Sequence, residues 1–426
     1  MTNPRVVPLD QIAERIVREG RSRVSELKAE LQQPSDDWRQ HLLKSERSGT
    51  PKPLLANCMI ALRQAPEWHG VLGFDEFQGA IAIRKEPPIN SAARTPWSDH
   101  LDRLLTEWLQ REGISVGVEV AAQAAQTAAQ EHPFHPVREY LESLQHDGRP
   151  RIDTWLTEYL GVEDSNYARA VGSRWIISAI ARVFKPGAKA DCCLILEGPQ
   201  GIYKSTALRA LSDPWFTDEI ADLGSKDASL QAAGAWIIEI AELDSMNRSE
   251  VGRIKAFISR NADRFRPPYG RRVIEAPRQC VFAGTVNHSN YLRDETGARR
   301  FWPVECHSIK IDELRRDRDQ LWAEAVVRFK AGEAWWLDTR ELIEAAGAEQ
   351  SDRYERDPWE EPISAWAEGR SDITIDQVLR FAIGKTADKL FQADQNRASR
   401  CLRALGWSQV RIRSGEDRQR VWRRHE

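Results

Sequence analysis

The residues best suited to chemistry stand together in Gly198-Pro199-Gln200-Gly201-Ile202-Tyr203-Lys204-Ser205-Thr206. This stretch follows the apolar run CCLILE and leads into STALRAL, a helix-forming sequence. A strand, a glycine turn and a helix N-terminus in that order form a phosphate cradle. The glycines let backbone amides converge, and the first helical amides add their dipoles. Lys204 is spaced to reach β- and γ-phosphates, and Ser205 to ligate Mg²⁺ through its hydroxyl. A site for ATP and Mg²⁺ is therefore expected along Gly198 to Thr206. One position departs from G-x-x-x-x-G-K-[ST]: Tyr203 occupies the place of the glycine before the lysine. A side chain tolerates positive φ poorly, so a strained or reshaped loop is expected, with hydrolysis more exposed to the change than binding.

A phosphate loop needs an acid at the end of a neighbouring strand to hold Mg²⁺ or polarise water. The run Trp236-Ile-Ile-Glu239-Ile-Ala-Glu242-Leu-Asp244 offers three. Glu242, at the strand's end, ranks first as catalytic acid and metal ligand. Glu239 ranks second, because a charge inside an apolar run needs a partner. Asp244 ranks third and serves equally well as a helix cap. Downstream, the apolar strand beginning at Cys280 ends in Thr285-Val-Asn287, where Asn287 either orients an attacking water or caps a turn. In Gly297-Ala-Arg299-Arg300, the arginines either reach a neighbouring subunit's γ-phosphate or pair with Asp294 and Glu295 at the surface.

These groups need a scaffold that brings several strand ends to one place. Short apolar runs at Cys192–Leu196, Trp236–Ala241 and Cys280–Ala283 read as buried strands. They alternate with helices, of which Ala168–Phe184 is the longest, and together predict an α/β sheet domain. The expected organisation is a helical arm at 1–50, a mainly helical accessory domain at 51–135 and a phosphate-loop ATPase domain at 136–345. A linker follows at 346–362, then a basic winged-helix-like module at 363–426.

The chain has 426 residues, with 61 Lys and Arg against 64 Asp and Glu. Its 29% charged and 41% hydrophobic residues fit a folded globular chain, not a disordered or membrane-spanning one. The N-terminus lacks the apolar core of a secretory signal, and none of the six cysteines forms a C-x-x-C pair. A cytoplasmic protein with reduced thiols and no membrane contact is expected. The near-zero net charge of −3 hides two basic regions. Residues 245–305 hold twelve Lys and Arg against six acids, and residues 397–426 hold nine Arg against three. Within the first, Arg264-Phe-Arg266-Pro-Pro-Tyr269-Gly270-Arg271-Arg272 suggests a hairpin. Its Arg266, Arg271 and Arg272 would meet phosphates and Tyr269 a base, unless it is an ordinary solvated hairpin. In the second, two helices precede a β-hairpin, and Asn396, Arg397 and Arg400 lie on the candidate recognition helix. Docking to a protein is the alternative there.

Four segments, LEGPQGIYKST, WIIEIAELD, GTVNHSNYLRDETGARRFWPV and LWAEAVVRFKAGEAWWL, together resemble the virulence-associated protein E family. These are phosphate-loop ATPases of phages, satellites and genomic islands, similar to superfamily 3 replicative helicases. The resemblance spans roughly 135–345 and implies an AAA+-type domain in a ring-shaped homo-oligomer, with a hexamer expected. It implies Lys204 and Ser205 as Walker A residues, Glu242 as Walker B, Asn287 as sensor and Arg299 or Arg300 as the finger acting in trans. A hairpin at the position of residues 264–274 projects into the ring channel in such helicases. No priming motif stands upstream. The expected function is ATP-driven translocation or unwinding of single-stranded or forked DNA in replication of a mobile element, alongside host or phage replication proteins. The alternatives are a nucleotide-gated DNA- or protein-binding assembly with little hydrolysis, or an anti-phage defence ATPase. A small-molecule kinase fits least, since it needs neither trans arginines nor a basic C-terminal module.

Overall fold

The computed structural model describes residues 34, 36–92, 96–219, 226–243, 248–266, 272–287, 291–292, 298–354, 357–386, 390–414 and 417–424. The chain divides into two compact units, Met1–Leu144 with Ala233–Ala235, and Gln145–Ala232 with Trp236–Glu426.

The first unit contains α1 (Leu55–Gln64), β1 (Leu72–Asp75), β2 (Ala80–Ile83), α2 (Asp99–Arg111), α3 (Val118–Gln130), β3 (Pro133–Phe134) and α4 (Pro136–Ser143). Leu101, Leu105 and Leu109 recur every four residues of α2, so one stripe faces the core and all three are buried. The small side chains Ala121, Ala124, Ala125, Ala128 and Ala129 form the buried face of α3. Trp38, from the end of the expected arm, is fully buried and stacks on Trp108 at 6.1 Å. Residues 1–33 lie outside the described residues. A small sheet in the order β2-β1-β3 interrupts the expected helical domain. Its strands are too short to show alternation in the sequence. The hairpin is set by Asp75 Oδ1, which accepts from the amides of Phe77 (2.8 Å) and Gln78 (3.0 Å), and by Gly79 at φ +72°. The unit continues past the expected boundary at 135 to Leu144.

The second unit has the expected α/β character. After α5 (Trp155–Leu160) and α6 (Asn166–Phe184) come β4 (Cys193–Glu197), α7 (Lys204–Ser212), β5 (Phe216–Thr217), α8 (Lys226–Gln231), β6 (Ile237–Ile240) and α9 (Arg248–Ile258). Then follow β7 (Ala262–Phe265), β8 (Ile274–Pro277), β9 (Val281–Val286), β10 (Phe301–Glu305) and α10 (Ile311–Lys330). Five strands form a wholly parallel sheet ordered β10-β4-β9-β6-β5. Numbered by appearance within the sheet, this is 5-1-4-3-2. The three central strands are buried at every position, which is why they read as continuous apolar runs. The edge strands escaped the sequence reading. β5 has two residues, and β10 contains Pro303, which a sheet tolerates at its edge.

Tryptophans fasten helices to this sheet by ring and by indole N–H. Trp175 of α6 donates to the carbonyl of Phe282 in β9 (2.8 Å), and Trp236 donates to Ala179 of α6 (3.1 Å). Trp322 of α10 donates to Leu211 of α7 (2.8 Å), and its ring lies 4.2 Å from that of Trp236. Each buries a large apolar area while satisfying its one donor. Ser165 caps α6 by accepting from the amide of Ala168 (3.0 Å).

β7 and β8 form the expected antiparallel hairpin, pairing Ala262 with Pro277 through Phe265 with Ile274. Tyr269 and Arg271 lie outside the described residues, as do Asp244, Asp294 and Glu295. Arg266 and Arg272 are exposed at the hairpin's two sides. Its base is fixed by Arg278, which donates to both carboxylate oxygens of Asp263 (2.6 and 2.8 Å) with both residues buried.

Much of the expected linker at 346–362 is helical. It falls within α11 (Arg340–Asp352) and the start of α12 (Glu360–Ala367). The charges that suggested a linker are partly i,i+4 pairs such as Arg353–Glu349 (2.5 Å). The C-terminal module continues with β11 (Asp372–Ile373), α13 (Ile375–Gln377) running into a π turn at Val378–Ala382, α14 (Gln392–Ala404), β12 (Trp407–Ser414) and β13 (Asp417–Arg424). The helices-then-hairpin order is as expected, in an antiparallel sheet β11-β13-β12 with a core of its own that includes Ile363, Leu379, Leu402 and Trp422. The turn at Gly415-Glu416 lies outside the described residues. All six cysteines are free and buried. Among the described residues no helix is long and apolar enough to cross a membrane.

Candidate nucleotide site

Parallel strands deliver their C-terminal ends to one edge of the sheet, and the loops that follow β4, β6 and β9 meet there. The loop after β4 carries Gly198 at φ +142° and Gly201 at φ +87°. A Cβ at Gly198 would stand 2.6 Å from the Cys306 carbonyl oxygen, so no larger residue fits. Tyr203 adopts φ +71°, ψ +30°, the left-handed conformation a glycine would take, and then Lys204 begins α7. Tyr203 is 64% exposed, so little packing offsets the backbone cost of about 1–3 kcal/mol. The loop thus keeps its path and carries the strain.

Lys204 is 7% exposed. Its Nζ donates to the carbonyls of Gly198 (2.6 Å) and Pro199 (2.9 Å) and to Asn287 Oδ1 (3.2 Å). Asn287, exposed at the end of β9, therefore meets Lys204 directly. Pro199, Gln200 and Ser205 are exposed at the loop, and Ile202 and Thr206 are half-buried.

Of the two acids, the structure brings Glu239 to the loop. One of its oxygens, Oε1, accepts from Ser205 Oγ (2.7 Å) and from Thr285 Oγ1 (2.6 Å). The residue is 2% exposed, and Oε2 is buried with no hydrogen-bond partner among the described residues. An orphaned carboxylate oxygen beside the Ser205 hydroxyl suits a hard cation that also binds phosphate oxygens. Glu242 stands three residues on, exposed, at φ +52°. Placed just past β6, it is not a partner of Ser205. Of the two acids it is therefore Glu239, ranked second from the sequence, that meets Ser205, because the strand ends at Ile240 and Glu239 lies in register with β9, opposite Ala283.

The arginine pair occupies a 3₁₀ turn, Ala298–Arg300, just before β10. Arg299 is exposed. Arg300 Nε donates to Ser259 Oγ at the end of α9 (2.7 Å), which ties it within its own chain.

In the C-terminal module Arg397 does not present a bare guanidinium. It donates to both oxygens of Asp357 (2.8 to 3.1 Å) and lies 4.2 Å over the Trp359 ring. The Arg397 hydrogen bond and charge hold Asp357 below the usual carboxylate range against the opposing effect of burial. Arg400 is half-buried and Asn396 exposed on the same helix.

Sequence reasoning missed Thr285 as a holder of Glu239, and it missed a buried cluster around Glu197. That carboxylate, 3% exposed at the last position of β4, accepts from Tyr291 Oη (2.8 Å) and from Arg353 Nε (2.6 and 2.8 Å). Burial pushes Glu197 above its ordinary value against the pull of Arg353. For Arg353 burial opposes the charged form, but the hydrogen bond to Glu197 together with the charges of Glu197 and Glu349 outweighs it and raises Arg353. Glu197 was visible in LEGPQG; Arg353 had no signal inside a presumed linker. Among the described residues no cluster of three or more His, Cys, Asp or Glu forms a metal cage.

No curated protein matches this chain. Among solved structures, the A form apo structure of the NrS-1 C-terminal region (305–718) aligns at 13% identity and a TM-score of 0.44, covering 82% of this chain and 95% of that one. The apo structure of the same region aligns at 14% identity and 0.43, with the same coverage. The virulence-associated protein E-like domain matches residues 141–355, half of the chain and the stretch that carries Lys204, Glu239, Asn287 and both arginines. The chain therefore belongs to the virulence-associated protein E-like domain family.

Proposed function

We propose that the second unit binds and hydrolyses ATP with Mg²⁺ and uses the turnover to move along or unwind DNA in the replication of a mobile element. The observation that carries the reading is the buried Glu239 carboxylate, shared by Ser205 and Thr285, with its second oxygen unpartnered beside the phosphate loop. Ser205 and Glu239 would hold Mg²⁺, which when bound offsets phosphate charge. Lys204 would exchange its loop carbonyls for phosphate oxygens. Glu242 would polarise water, and Asn287 would orient it. The 5-1-4-3-2 strand order supports an AAA+-type core, in which Arg299 of one copy serves the site of the next within a ring. Exposed Arg266 and Arg272 support a DNA-contacting hairpin, and Arg400 a winged-helix contact.

Steady-state ATP turnover with and without single-stranded DNA tests this, on the wild type and on Lys204→Ala. DNA-stimulated turnover that Lys204→Ala abolishes is expected. Wild-type-like turnover by Lys204→Ala would falsify the site. The strained Tyr203 favours one second reading, a nucleotide-gated assembly with little hydrolysis. It predicts tight MgATP binding without turnover.

A further inference from the structure

The cluster around Glu197 has no place in the mechanism above, yet it joins the two loops that build the nucleotide site. Glu197 directly precedes Gly198, and its carbonyl accepts from the amide of Cys306 (2.8 Å). Its carboxylate is clamped by Tyr291 and Arg353. Tyr291 follows Asn287 on the segment leaving β9 and is 2% exposed. The next amide, of Leu292, donates to the Arg353 carbonyl (3.1 Å), and Leu292 bridges Tyr354. Arg353 is itself fixed by Glu349, through the carboxylate (2.5 Å) and the carbonyl (2.9 Å). One residue thus grips the start of the phosphate loop by its side chain and the segment beyond Asn287 by its backbone.

We infer that Arg353 is a positioning residue of the nucleotide site, setting the phosphate loop and the Asn287 segment at the spacing that lets Lys204 and Asn287 act on the same phosphate. This rests on the proposed nucleotide function. The Arg353 guanidinium is engaged by Glu197 and Glu349, so its loss should disturb geometry in the reacting complex more than capture of ATP. Small misplacements of that kind are costly to rate. A planar guanidinium that engages both Glu197 oxygens through one nitrogen while another holds Glu349 is not fully replaced by lysine.

The test compares full-length wild type with Arg353→Gln, Arg353→Lys, Glu197→Gln and the Arg353→Gln/Glu197→Gln double variant. MgATP binding, kcat, KM and the thermal midpoint are measured for each. Arg353→Gln is expected to lower kcat about tenfold or more while KM stays within about threefold, as for a misaligned reacting complex. Lysine should recover part of kcat. The double variant should be no slower than the worse single one, since both changes break one contact. Unchanged kcat in Arg353→Gln, additive losses in the double variant, or losses that only follow the unfolded fraction would overturn the inference. If the wild type binds no MgATP, the nucleotide reading fails and the inference falls with it. If the wild type turns over normally and the variants do too, only the inference fails.

Discussion

At the residue scale, the chemistry turns on which acid faces Ser205. The structure places Glu239 there and leaves Glu242 exposed beyond the strand. Glu239→Gln should weaken Mg²⁺-dependent nucleotide binding by about 10–100-fold, the range for losing a group that tunes a metal site. Glu242→Gln should leave binding intact and slow turnover. Calorimetric titration of nucleotide with and without Mg²⁺ separates the two, and an unchanged Mg²⁺ dependence in Glu239→Gln would remove it from the metal. Glu239 was already legible as an odd charge within IIEI. Its partners were not, because Thr285 lies on a strand that the sequence cannot align with β6. The replacement of glycine by Tyr203 was legible too, and so was its cost. That the loop keeps its path with a left-handed tyrosine needed the backbone angles.

At the element scale, the hairpin β7–β8 is held at its base. Arg278 and Asp263 form a buried pair there, with Ser229 Oγ also donating to Asp263 (3.2 Å). The Arg278 guanidinium lies 4.0 Å over the Phe257 ring of α9. Replacing Arg278 by Ala strands a buried carboxylate and should cost about 3–5 kcal/mol. The measurement is the urea midpoint of the full chain, where Arg278→Met/Asp263→Leu should recover much of the loss because no charge is left unpaired. A single Arg278→Ala variant as stable as wild type would show that the pair does not hold the hairpin. Central strands and long helices were legible from apolar runs and periodicity. Two-residue β5, the proline-bearing edge strand β10 and the short sheet of the first unit were not, since too few residues carry the pattern.

At the scale of the whole molecule, the basic regions and the exposed Arg299 bear on assembly. Arg300 is engaged by Ser259 of its own chain, which leaves Arg299 as the better placed of the two to act on a neighbouring copy. Arg299→Ala should preserve ATP binding and lower turnover about 10³-fold or more, the effect of a finger arginine. Adding Arg299→Ala chains to a site-dead Lys204→Ala variant should restore activity, because a mixed interface can pair an intact site with an intact finger. Mass measurement with and without ATP checks the ring, and a protein monomeric in both states would sink the trans mechanism.

By itself the sequence determined the glycine turn between strand and helix at Gly198–Lys204, the α/β character of the core and the concealed basic regions. Each depends on neighbours along the chain: glycine spacing, apolar runs and local charge. Tertiary structure alone decided that Glu239 meets Ser205, that Arg397 is spent on Asp357 and Trp359, and that Arg353 reaches Glu197 from a stretch resembling a linker. Those pairings join residues 34, 40 and 156 positions apart, across strands and helices whose register is set only when the core packs.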